Sequence, residues 1–132
     1  MIFVHTSFWI ALNLARDAHH PVAQRLLQER QEDQLVTTND VLGETWTFLS
    51  RRASHRDAVR FLDRAEASAR LSIVHVSPEL EETAVRWLRR HDEGRYSFVG
   101  ATSFAVMRSM KIKDALAFDG DFTAAGFREL RA

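Results

Sequence analysis

The chain has no cysteine, only two prolines and five glycines, and a single tyrosine among its 132 residues. Without cysteine there are no disulfides and no thiolate metal sites. No proline- or glycine-rich linker, low-complexity tract or internal repeat divides the sequence, so one domain over residues 1–132 is expected. A domain of that length buries roughly two-thirds of its unfolded surface without staples. Charge of one sign is also lacking. Eighteen lysines and arginines balance eighteen acidic residues, giving a formal net charge of zero, so no global field draws the protein to nucleic acid. No apolar run approaches the ~20 residues of a membrane span. The opening Met1-Ile2-Phe3-Val4-His5 has no basic region of the signal-peptide kind. A cytoplasmic protein without a membrane segment is the expectation.

What remains is an alternation of short apolar runs and amphipathic stretches. Ile2-Phe3-Val4 reads as a buried strand, apolar on both faces. Thr6 and Ser7 are cap candidates for a helix from Phe8 to about Ala15. Pro21 suits the first turn of a helix ending near Glu32. Leu35 to Thr38 is a second strand, and Asn39 is placed to cap a helix with Val41, Leu42, Thr45, Phe48 and Leu49 on one face. Ser54 with Asp57 resembles a capping box opening a helix to about Ala69. Leu71 to Val76 is a third strand. Ser77-Pro78-Glu79 combines a cap, a first-turn proline and a first-turn acid ahead of another helix. Val99 to Met110 reads as helix, Ala115 to Phe118 as a fourth strand, and Phe127 to Leu130 as a short fifth. Strands alternating with helices predict an α/β fold with a mostly parallel sheet.

In such sheets ligands bind beyond the carboxyl ends of the strands. His5 follows the first strand there, and Asp119 and Asp121 follow the fourth. Glu44 sits one turn into the helix after the second, with Asp40 in that helix's first turn. Converging carboxylates call for a cation, and magnesium prefers oxygen ligands. Such an ion can activate water for attack on phosphate. Plainer readings stand beside this one. Asp119-Gly120-Asp121 also suits a turn, Glu44 an exposed helical position, and Asp92 a loop or cap. Arg51, Arg52, His55 and Arg56 form one local basic patch, and Arg86, Arg89, Arg90, His91 and Arg95 another. Both also read as solvated helix ends.

Four blocks resemble those of PIN-domain toxins of the VapC type. Ile2-Phe3-Val4-His5-Thr6-Ser7-Phe8 resembles the opening strand, with His5 where the family has Asp. Asn39-Asp40-Val41-Leu42-Gly43-Glu44-Thr45 resembles the second block, its acid at Glu44. Tyr96 to Met107 resembles the third, with Gly100 where the family has Asp. Ala117-Phe118-Asp119-Gly120-Asp121-Phe122 resembles the last, its acid at Asp119. The blocks stand in order over nearly the whole chain. The resemblance implies a PIN-like three-layer fold, a roughly five-stranded parallel sheet flanked by helices. It implies a toxin of a type II toxin–antitoxin system: an endoribonuclease dependent on Mg2+ or Mn2+ that cuts structured RNA, either tRNA or rRNA. It also implies a cognate antitoxin and assembly as a homodimer or a toxin–antitoxin hetero-oligomer. The site positions would be 5, 44, 100 and 119, with Asp121 as a further metal ligand and Thr6, Ser103 and Asp92 in support.

Two of those four positions depart from the pattern. Imidazole at His5 suits zinc, copper, nickel or iron better than magnesium, and Gly100 offers no ligand. A copy so altered is expected to be inactive, leaving a pseudoenzyme that binds its antitoxin as the alternative. A phosphoacceptor signalling domain is disfavoured by His5 and by the lack of a lysine shortly after a late strand.

Overall fold

The computed structural model describes residues 1–131. Five parallel strands lie in the order β3-β2-β1-β4-β5: β1 (Ile2–Val4), β2 (Leu35–Thr38), β3 (Leu71–Val74), β4 (Asp114–Leu116) and β5 (Arg128–Glu129). Helices α1 (Thr6–Asn13), α2 (His20–Glu29), α3 (Asn39–Arg52), α4 (His55–Ala67), α5 (Pro78–Arg90), α6 (Phe98–Met110) and α7 (Asp121–Ala124) connect and flank them.

The central strands are buried through Ile2, Phe3 and Val4 in β1, Leu35 and Val36 in β2, and Ala115 and Leu116 in β4. That two-sided burial is why they read as continuous apolar runs. β1 pairs with β4 from Ile2 opposite Asp114 to Val4 opposite Leu116, and with β2 through Ile2 and Phe3. The chain steps outward from β1 to β3 and then returns to β4 on the other side of β1. The topological switch therefore falls between β1 and β4, and their carboxyl ends open the crevice where this class of sheet binds ligands.

Helix starts follow cap chemistry. Ser54, Ser77 and Ser97 each accept a hydrogen bond from the N–H three residues on. α3 is capped by Thr38, whose Oγ1 accepts from the Val41 N–H at 3.1 Å. Asn39, expected as that cap, is the first helical residue, and its Oδ1 accepts instead from the Val76 N–H at 2.8 Å. Neither Thr6 nor Ser7 caps α1. The cap position is His5, and the Ser7 hydroxyl accepts from the Phe118 N–H at 3.0 Å, tying α1 to the end of β4. β3 stops at Val74 and β4 at Leu116, each two residues short of the expected run.

Candidate active site

Three backbone features set the residues around the crevice. His5 leaves β1 with its N–H donated to Leu116 O at 3.1 Å, so its ring emerges beside the end of β4. Asp119 follows three residues after Leu116, where Gly120 turns the chain with φ 78°. L side chains rarely adopt that conformation, and glycine adopts it freely. Gly100 lies in the first turn of α6, buried, its N–H donated to Ser97 Oγ at 2.9 Å.

His5 and Asp119 meet. Nε2 of His5 is 3.4 Å from Asp119 Oδ2, with the imidazole almost fully buried and the carboxylate about one-third exposed. The ring packs on Phe122, centroids 4.8 Å apart. Phe122 in turn meets Phe104 edge-on at 4.9 Å. A Cβ at position 100 would stand 3.9 Å from the Phe104 ring and 3.1 Å from Ser97 Oγ. Positions 5 and 100 thus flank one aromatic floor built by Phe104 and Phe122.

The electrostatics centre on Asp119. Burial pushes its carboxyl up, but hydrogen bonding and charge from His5, with the backbone N–H of Asp121, outweigh this and hold it below its ordinary 3.8. Its Oδ1 accepts that N–H at 3.1 Å. Asp121 moves the other way. Burial first, then the negative charges of Asp119 and Glu129, raise its carboxyl despite the opposing pull of His5.

The other expected residues sit apart from this pair. Glu44 is half-buried on α3, four residues after Asp40 and so on the same helix face. Asp40 Oδ2 accepts from Thr102 Oγ1 at 3.2 Å, joining the first turns of α3 and α6. The Ser103 hydroxyl donates back to Val99 O at 2.7 Å, a contact within its own helix. Thr6 is buried, but its hydroxyl neither caps α1 nor finds a hydrogen-bond partner among the described residues. Asp92 lies exposed in the loop between α5 and α6.

Two contributors carry no signal in the sequence. Glu129 on β5 accepts from the Gly120 N–H at 3.3 Å and the Thr123 N–H at 3.0 Å, pinning the loop that carries Asp119. Phe122 reads in the sequence only as a hydrophobic residue, yet it supports His5.

The donor set does not fit a magnesium ion. Among the described residues no three histidine or acidic side chains gather as a metal site. His5 and Asp119 are a pair with one nitrogen donor, whereas magnesium takes oxygen ligands in octahedral array. Nδ1 of His5 is also buried without a partner among the described residues.

Residues 2–128 match the PIN domain. The chain belongs to the PIN-domain family. Within that family its relatives are VapC toxins. It is 57% identical over 135 residues to the 23S rRNA-specific endonuclease VapC20 of Mycobacterium tuberculosis, in both strains compared, covering 99% of this chain and 98% of that protein. The crystal structure of Mycobacterium tuberculosis VapC20, described as a sarcin–ricin loop cleaving toxin, superposes with a TM-score of 0.95. The identity is 54% with both chains fully covered.

Proposed function

We propose that this chain is the toxin of a VapC-type toxin–antitoxin pair, an endoribonuclease scaffold for ribosomal RNA, and that this copy is impaired in cleavage. The observation that carries the proposal is the pairing of near-full-length likeness to a 23S rRNA endonuclease with a crevice where His5 engages Asp119 and Gly100 carries no side chain. The RNA suggested by the relative is the sarcin–ricin hairpin. The expected cofactor of the scaffold is Mg2+ or Mn2+, held by acids at positions 5, 44, 100 and 119 with Asp121 nearby. In this copy the ligands at 5 and 100 are missing, so no catalytic step is assigned to it. The site of action would be the cytoplasm, where ribosomes are. No helix among the described residues is long and apolar enough to cross a membrane.

The second reading is that the chain acts through an antitoxin alone, as a homodimer or a toxin–antitoxin hetero-oligomer. The residues at positions 5 and 100, His and Gly where the family resemblance implies acids, favour it. Cleavage of a sarcin–ricin hairpin is the test, run on this chain and on His5→Asp/Gly100→Asp with magnesium, manganese or EDTA. Metal-dependent cutting by the double variant alone is expected. Equal cutting by both would place the essential groups elsewhere. No cutting by a correctly folded double variant would remove the endonuclease reading.

A further inference from the structure

Beside the crevice, behind Asp119, lies a cavity of about 300 Å³ whose walls include His19, Val22, Phe118, Glu129, Leu130 and Arg131. Its size is at the lower end for small-ligand sites. The ring of His19 lies flat against Phe118, centroids 4.5 Å apart and planes within 10°. Asp17 fixes the residue from behind, accepting its backbone N–H at 2.8 Å and standing 3.7 Å from Nδ1. The side chain is nonetheless 54% exposed. It occupies the cap position of α2 without making a cap hydrogen bond, so the helix does not need it. A half-exposed aromatic ring is thus stacked on Phe118, the residue that precedes Asp119, and both rings line the cavity. Arg131 on another wall is exposed and makes no ion pair among the described residues. Glu129, the acid of this cavity, has its two oxygens engaged by the Gly120 and Thr123 N–H groups.

We propose that this cavity is a nucleotide subsite, taking the base of a residue adjoining the phosphate presented to Asp119, with His19 as the stacking face and Arg131 as the phosphate contact. It rests on the RNA reading above. A flat fixed ring beside apolar carbons accepts any base, and a free guanidinium suits phosphate. Glu129 already accepts two backbone N–H groups of its own loop, which makes it a poorer anchor for a basic peptide.

The test has two arms, both on this chain as it stands. In the first, NMR titrations use guanosine and adenosine 5′-monophosphate, inorganic phosphate, and a short arginine-containing peptide. Shifts at His19, Phe118, Gly120 and Arg131 are expected with the nucleotides. Binding should weaken roughly tenfold in His19→Ala, as for loss of a base–aromatic stack. It should persist in His19→Phe and Arg131→Lys and fall in Arg131→Glu. Nucleotide binding unchanged in His19→Ala, shifts confined to other surfaces, or a preference for the peptide would overturn the proposal. Phosphate alone reproducing the whole effect would do so too. In the second arm, binding of a sarcin–ricin hairpin is measured by anisotropy. A hairpin bound equally by parent, His19→Ala and Arg131→Glu sinks the subsite and spares the RNA reading. A hairpin bound by none of them sinks the RNA reading, while the nucleotide arm still decides the cavity.

Discussion

Nε2 of His5 stands 3.4 Å from Oδ2 of Asp119 across the crevice between β1 and β4. Both partners are fixed by backbone: His5 by its N–H to Leu116 O, and Asp119 by the Asp121 N–H and the Glu129-braced turn. On the proposed reading, this imidazole stands where a second carboxylate would share a cation with Asp119. Neither single restoration reverses this. His5→Asp leaves Gly100 without a ligand, and Gly100→Asp leaves the histidine pair in place. Each single variant is expected to stay within about tenfold of the parent in hairpin cleavage, with the double variant rising by ~10²-fold or more. Full recovery from either change alone, read from initial rates, would refute this dependence on both.

The same geometry sets the thermal response to metal. A ligand that binds only the folded state stabilises it by about 2.7 kcal/mol at a hundredfold excess over its Kd. For a domain of this length that is a rise of several degrees in Tm. Magnesium should leave the Tm of this chain nearly unchanged and raise that of His5→Asp/Gly100→Asp. Scanning calorimetry with and without the ion checks it, and equal shifts in the two proteins would count against the account.

Acid stability should divide between two neighbouring carboxylates. Asp119 titrates below its ordinary 3.8 in the folded protein. Its stabilisation is therefore complete above the unfolded value and lost as pH falls through the folded one. Asp121 is raised above 3.8, so its contribution is present below the unfolded value and lost as pH rises through the folded one. Asp119→Asn should lower stability at neutral pH and flatten the acid limb. Asp121→Asn should leave the acid end alone and raise stability at neutral pH. Urea unfolding from about pH 2 to pH 7 reads both signs, and the same sign for the two variants would contradict the opposed shifts.

How much of this was legible beforehand depends on the range of the interaction. Ile2-Phe3-Val4 and Leu35 to Thr38 declared themselves as strands because two-sided burial demands apolar runs. Ser54 and Ser77 were readable because a cap and its N–H lie three residues apart, whereas the Ser97 cap of the helix that holds Gly100 was not read. His5, Glu44 and Asp119 came into view from their places beyond the strand ends, and Gly100 through the resemblance alone. What could not be read lies across sequence distance. Asp40 with Thr102, and Glu129 with Gly120, join elements whose register only the fold sets. α7 was not readable because its four residues, Asp121–Ala124, are too few to show a helical period. Thr6 looked like a cap, yet its hydroxyl is buried without a partner among the described residues, a fact set by how β1 meets α1.

The last prediction concerns Gly100 itself, apart from any chemistry. Glycine inside a helix costs about 1 kcal/mol relative to alanine, so Gly100→Ala should stabilise α6. Its new Cβ, however, would stand 3.1 Å from Ser97 Oγ, and that oxygen is held in place by the Gly100 N–H at 2.9 Å. Ser97→Ala alone removes the cap at a cost of about 1 kcal/mol, and it also removes the atom the new methyl crowds. The gain from Gly100→Ala should therefore be larger when position 97 is alanine than when it is serine, a coupling on the order of 0.5 kcal/mol. Denaturant unfolding of the four proteins of this cycle measures it. Strict additivity would mean that the serine yields freely to a side chain at position 100. Restoring Asp there would then meet no steric resistance from the cap.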